Sequence, residues 1–305
     1  LIRSKRLHLT QLDSWLLSVP LPDSISKYTL RLWREEREPL VAPFKDEVVA
    51  YFDEAFEDAR SSLREGFEDE LCSFDDPASD PAANFPRLLH RVTQQGYLGE
   101  ALGALAVEHW GAEGYTDWQV PAMLFRFHTV ELQHLASINE RIVRGLPFNQ
   151  DEEAGKRPGR TGDDALAFRM NDAGVITDVL VIEAKCVGMN SNTTIAEAHA
   201  KLSTTLLRNC GIRELINILK KYNTDEAQRW RAALLELWRS GHTSVGRYDC
   251  VSYAVGAQPK KPVTRESWMD PTKRHPEYKL QNSLIGLEFQ IPDLEGMVDI
   301  IYRGK

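Results

Sequence analysis

Cysteine is scarce: Cys72, Cys186, Cys210 and Cys250 are the only four in 305 residues, and no pair has zinc-finger spacing. That scatter argues against a disulfide framework and predicts a reducing cytoplasm as the setting. Long apolar runs are missing too. No uninterrupted stretch reaches membrane-spanning length, so no membrane partner is expected. The opening LIRSKRLHLTQLD lacks the long apolar core of a signal peptide. The chain has no Gly-rich phosphate loop, no His-Glu-x-x-His zinc helix and no nucleophile elbow. Without a Walker lysine motif, any ATP-driven motor must come from a partner. No internal repeat or extended low-complexity tract is visible.

What is present is the composition of an ordinary globular protein, 42% hydrophobic and 27% charged. Its length suits one large α/β domain or two small ones. The net charge of -8 at first sight argues against a nucleic-acid partner, but its distribution weakens that objection. Residues 1–152 hold 15 Lys+Arg against 26 Asp+Glu, a net of -11, and residues 153–305 hold 22 against 19, a net of +3. The second half carries basic clusters: Lys156-Arg157 with Arg160, Lys220-Lys221, Arg229 with Arg231, Lys260-Lys261 and Lys273-Arg274. Such clusters can supply phosphate contacts, although most charge clusters are solvated surface.

The most informative stretch is TGDDALAFRMNDAGVITDVLVIEAKC, residues 161–186. A short apolar run, a cluster of turn formers and a β-branched run predict a hairpin whose second strand is long and buried. Asp163 and Asp164 enter the first strand. Glu183 and Lys185 close the second, and side chains two apart on a strand share a face. An unpaired carboxylate in the centre of a sheet is costly. Two acids and a lysine converging there are best explained by a bound divalent cation. Oxygen ligands of this kind suit Mg²⁺, with Mn²⁺ as a substitute.

Asp164, an apolar strand, a turn and Glu-x-Lys at Glu183 and Lys185 together resemble the PD-(D/E)xK nuclease superfamily, the restriction-endonuclease-like fold. The resemblance covers residues 84–200 as motif and the later strands in order only. Where the family has a proline before its first aspartate, this chain has Gly162-Asp163. Both Asp163 and Asp164 therefore stand as candidate ligands, with Asp164 preferred because it directly precedes the apolar run. The family also places a glutamate on a preceding helix, and Glu100 in GYLGEALGALAVEHW matches that place. The resemblance implies a catalytic set of Glu100, Asp164, Glu183 and Lys185. Glu100, Asp164 and Glu183 would hold the metal, and Lys185 would hold or activate a water or stabilise developing charge. The implied activity is Mg-dependent hydrolysis of DNA phosphodiester bonds. A nuclease domain of this kind, with extra helices and no motor, is similar to subunits of bacterial antiphage systems, including the nuclease partner of a helicase in Hachiman-type defence. That analogy implies a helicase or ATPase partner. From other classes, the fold could serve as a catalytically inactive nucleic-acid-binding or assembly module, or as a scaffold whose acidic half holds a partner.

The expected fold is α/β: a mixed central sheet flanked by helices, a restriction-endonuclease-like core with an additional helical N-terminal region. The proline-rich segment 73–86 suggests a division into an acidic, helical or irregular region, 1–83, and a nuclease-like domain, 84–305. Residues 45–65 predict one amphipathic helix with Val48, Val49, Phe52, Phe56 and Ala59 inward. Residues 97–110 predict a helix whose Gly99 and Gly103 allow close packing. Residues 121–128 read as a short strand, 129–145 as a helix, and 247–257 and 282–293 as the regions of the later strands. After Lys185 a helix is expected with Thr193 or Thr194 as cap, and His199 or Lys201 could turn a polar group to the site. Lys156, Arg157 and Arg160, beside the aspartates, are the strongest candidates for phosphate contact, followed by Lys260 and Lys261. Glu288, Asp293 and Glu295 read as surface or capping residues.

Overall fold

The computed structural model describes residues 6–22, 26–66, 80, 82–125, 129–151, 164–205, 211–241, 245–259 and 265–304. In chain order the first elements are α1 (Leu9–Trp15), β1 (Leu16–Val19), β2 (Tyr28–Glu35), α2 (Phe44–Ala55), α3 (Glu57–Gly66), α4 (Arg91–Trp110) and α5 (Thr129–Val143). The hairpin β3 (Ala165–Met170) and β4 (Ile176–Val187) comes next, then α6 (Asn192–Thr204), α7 (Gly211–Leu219) and α8 (Asp225–Ser240). The chain closes with β5 (Gly246–Val255), β6 (Ser283–Gln290), α9 (Leu294–Val298) and a π-helical turn over Asp299–Arg303.

Among the described residues one six-stranded mixed sheet runs β1-β2-β6-β5-β4-β3. Its four central strands are parallel, and the edge pairs β1/β2 and β3/β4 are antiparallel. Parallel strands are buried on both faces, and β4 follows that rule. Leu180 and Ile182 point into a core with α4, while Val179 and Val181 point into a second core with α6, α7 and α8. The α/β class and the mixed sheet flanked by helices are as the sequence predicts.

The hairpin forms where expected. Asn171 closes the turn by accepting the Val175 N–H at 3.0 Å through its side-chain oxygen, and Gly174 takes φ +78°, a backbone state that favours glycine. Gly99 and Gly103 bring α4 against the sheet. A Cβ on Gly99 would lie 2.9 Å from the Cys186 Cβ, and one on Gly103 would lie 3.0 Å from the Ser252 side chain.

Four expectations need correction. The N-terminal region, read as helical or irregular, supplies β1 and β2 to the same sheet, and its Trp15, Trp33 and Phe52 share a core with Leu102 of α4 and Ile182 of β4. Charge in β2 hid the strand. Arg31 is tolerated there because it donates to the Trp110 and Gly111 carbonyls at 3.2 and 2.9 Å, at the end of α4, and lies over the Trp33 ring. The single helix expected over 45–65 breaks at Phe56 into α2 and α3, with Val48, Phe52, Phe56 and Ala59 still buried. No strand forms over residues 121–125. Pairing instead comes earlier, as a bridge in which Gln119 and Phe168 exchange N–H to carbonyl bonds at 2.9 and 2.8 Å, and Pro121 has no N–H with which to extend it. Residues 126–128 lie outside the described ones. Finally, α6 is capped by Ser191, whose hydroxyl accepts the Thr194 N–H at 3.2 Å, one turn earlier than Thr194 itself.

The connection from β5 to β6 joins two parallel strands without a helix among its described residues. Its longer described stretch, 265–282, instead lays Met269 and Tyr278 onto the same core as α6.

Candidate active site

The antiparallel pairing of β3 and β4 fixes the site. Ala165 pairs with Ile182, so Asp164, one residue before, is carried opposite Glu183 on the face that α6 covers. Both carboxylates are buried, at 8% and 2% exposure. Asp164 Oδ2 accepts the Ala184 main-chain N–H at 2.8 Å, which anchors it to β4. Lys185, two residues beyond Glu183, places its ammonium 2.5 Å from Glu183 Oε1. A second ammonium comes from α6: Lys201 Nζ lies 2.5 Å from Glu183 Oε2 and 3.3 Å from Asp164 Oδ1.

Electrostatics follows from this crowding. Burial, and then the neighbouring Asp164 charge, push the Glu183 carboxyl up to about 7, while the attraction of Lys185 and Lys201 pulls the other way. Burial works against the Lys201 ammonium, but the Asp164 and Glu183 carboxylates outweigh it and hold its pKa above the ordinary value. Glu183 is therefore the group under most tension. Its ionised form is favoured by anything that adds positive charge between it and Asp164.

The structure thus brings together Asp164, Glu183 and Lys185 of the residues singled out in the sequence. Glu100 is buried on α4, which covers the opposite face of the sheet. Its neighbour Gly99 packs on Cys186, so the α4 backbone meets β4 on that face. Hydrogen bonds and ion pairs join Asp164 to the Ala184 main chain and to Lys201, and Glu183 to both Lys185 and Lys201. Among the described residues no three His, Cys, Asp or Glu side chains converge so as to hold a metal ion. Asp163, Lys156, Arg157, Arg160, Lys260 and Lys261 lie outside the described residues.

Between His199 and Lys201, the structure selects Lys201. The signal is in the helix pattern: Ile195, Ala198 and Leu202 are its buried stripe, and Lys201 borders that stripe three residues after Ala198. His199 turns elsewhere. Its ring stacks on His275 with centroids 4.7 Å apart, and its Nδ1–H donates to the Ile195 carbonyl at 2.7 Å. Glu288, read as surface or capping, is fully buried and accepts the Trp268 and Met269 main-chain N–H groups. Asp293 does cap α9, accepting the Gly296 N–H at 3.0 Å.

Tyr253 extends the polar face sideways. It pairs with Lys185 across the β4/β5 ladder. Its hydroxyl accepts the Ser191 N–H at 3.1 Å and donates to Asn190 Oδ1 at 3.0 Å, tying the start of α6 to the sheet. No helix among the described residues is long and apolar enough to cross a membrane. Searches against protein-family models and against curated proteins found no match.

Proposed function

We propose that the chain is a metal-dependent nuclease hydrolysing DNA phosphodiester bonds. The observation that supports this reading is the meeting of Asp164 and Glu183, two buried carboxylates opposite each other on adjacent strands, with lysine ammoniums against them. Mg²⁺ takes one or two protein carboxylates and fills its shell with water and phosphate oxygens. Asp164 and Glu183 are a sufficient donor set by that standard, and Mn²⁺ would serve in its place. Such an ion, when bound, polarises a phosphodiester and makes a bound water more acidic. Glu100, buried on α4, would add a third carboxylate.

The chain's own residues divide the remaining work. The Ala184 N–H holds Asp164 in one orientation. Lys185, on the same face of β4 as Glu183, would hold the attacking water or stabilise negative charge on the phosphate oxygens. Lys201 neutralises the carboxylate pair until cation and substrate arrive. The wider setting belongs to the same proposal: a cytoplasmic effector of bacterial antiphage defence working with a helicase or ATPase partner, its substrate held by basic residues that include Lys156, Arg157, Arg160, Lys260 and Lys261.

Charge balance favours a second reading. Two carboxylates and two ammoniums neutralise each other, as in a purely structural ion-pair network. The fold would then be an inactive nucleic-acid-binding or assembly module. Incubating plasmid and linear DNA with Mg²⁺ separates the two. The nuclease reading expects cleavage by the parent and loss of cleavage in Glu183→Ala and Lys185→Ala; identical behaviour of all three proteins removes it. A binding module retains DNA affinity in chelator and never cleaves.

A further inference from the structure

We propose that the pocket between α6 and the β5–β6 connection binds a nucleoside phosphate. The pocket has a volume of about 300 Å³ and lies on the flank of α6 away from the Asp164–Glu183 pair. Lys201 leaves one side of the helix for the carboxylates, whereas Ile195 and His199 face the pocket from the other. The volume is at the lower end of the small-molecule range, which suits one nucleotide unit rather than a larger cofactor.

Its walls are aromatic and held in place before any ligand arrives. The Trp268 indole N–H donates to the Ala257 carbonyl at 2.8 Å, and the Tyr28 hydroxyl donates to the Asp270 carbonyl at 2.8 Å. His199 and His275 present their stacked rings. Burial lowers the His199 imidazole to about 4, so at neutral pH this wall is an uncharged ring, not a cation. Flat faces of this kind stack on nucleobases.

Its rim is cationic. Among the lining residues Arg265, Lys273 and Arg274 stand against one carboxylate, Asp270, with which Lys273 pairs at 3.7 Å. The Asp270 charge is partly spent within its own turn, where one oxygen accepts from the Thr272 N–H and hydroxyl at 2.9 and 2.7 Å. Arg274 is anchored by the Lys27 carbonyl at 2.6 Å, so it is a fixed charge. Arg265 is exposed, with its guanidinium 5.3 Å from the Trp268 ring centroid. A ring-lined pocket with guanidinium and ammonium groups at its mouth matches a base joined to a phosphate. This inference does not rest on the nuclease reading, because a non-catalytic module of the same fold could use the pocket equally well.

The ligand could be a free nucleotide or one unit of a nucleic-acid strand, and calorimetry on the full chain distinguishes them. The probes are ADP and CDP, inorganic pyrophosphate and a short single-stranded DNA oligonucleotide. The comparison protein is the double variant Arg265→Glu, Lys273→Glu, whose side chains sit at the rim and take no part in the Trp268–Ala257 and Tyr28–Asp270 hydrogen bonds. We expect a nucleoside diphosphate or the oligonucleotide to bind at least about tenfold more tightly than pyrophosphate, the equivalent of one stacked base. We also expect the charge reversal to weaken that binding by at least about tenfold. Binding of ADP or CDP identifies a diffusible nucleotide, and binding of the oligonucleotide alone identifies a strand. Pyrophosphate binding as tightly as the nucleotides, an affinity unmoved by the charge reversal, or no binding of any probe would overturn the proposal.

Discussion

The Lys201 ammonium reaches from α6 to within 2.5 Å of the Glu183 carboxylate on β4, and the same nitrogen lies 3.3 Å from Asp164. It therefore bridges two buried acids that would otherwise repel each other. Lys201→Met leaves Lys185 as the remaining ammonium of the described cluster to balance them. Removing one partner of a buried ion pair is costly because the other charge stays buried. Lys201 is partly exposed, so we expect a loss of about 1–3 kcal/mol in chelator. Millimolar Mg²⁺ should restore part of it, since a ligand that binds only the folded state stabilises it. Urea unfolding with EDTA and with Mg²⁺ reads both effects; an unchanged midpoint in EDTA would show that the bridge carries no weight.

Gly99 supports the same strand from behind. With a Cβ due to fall 2.9 Å from Cys186, Gly99→Val should drive α4 away from β4 and destabilise the fold by about 1–3 kcal/mol, the usual cost of overpacking. Glu183 and Lys185 occupy the opposite face, so their ion pair should survive in a variant that still folds. Chemical denaturation measures the first expectation. A Gly99→Val protein as stable as the parent would mean that the α4–β4 contact is looser than described.

His199 gives a pH signature. Its folded-state value lies near 4, below its ordinary 6.5, because burial disfavours the charged ring. The unfolded chain therefore takes up the proton first as pH falls. The stability that depends on a neutral His199 is fully present above pH 6.5. It is lost progressively as pH falls toward 4, at up to about 1.4 kcal/mol per pH unit. Glu183 titrates in the same range with the opposite sign, so the effect is isolated by comparing the parent with His199→Asn, whose amide N–H can still donate to the Ile195 carbonyl. The stability difference between the two should shift against the parent as pH drops from 6.5 to 4.5. A difference that stays flat would place His199 in a more solvated position.

Much of this arrangement was legible in the sequence because it is local. Residues 161–186 contain their own turn chemistry and strand periodicity, so the hairpin and the shared face of Glu183 and Lys185 follow from spacing alone. Asp164 opposite Glu183 then follows from the hairpin register. What was not legible depends on distant partners. β2 was obscured by Arg31 and Arg34, whose acceptors are the α4 C-terminal carbonyls for Arg31 and Gln290 and Glu266 for Arg34. Glu288 looked like a surface acid because nothing nearby in sequence reveals that the main chain at Trp268 and Met269 folds over to meet it. Lys201 was one of two polar choices on its helix, and only the packing of α6 on β4 decided between them.

Metal binding by the carboxylate pair is the point on which the nuclease reading turns, and it can be measured without any DNA. Titration of the parent with Mn²⁺ or Mg²⁺, followed by calorimetry, should show a site that Asp164→Asn weakens by at least about tenfold and that Glu183→Gln weakens similarly, each carboxylate supplying one ligand. The Glu100→Gln protein, altered on the opposite face of the sheet, reports separately whether a third acid takes part. Equal affinity in the parent, Asp164→Asn and Glu183→Gln, or no binding to any of them, would contradict the account and leave the cluster as an ion-pair network alone.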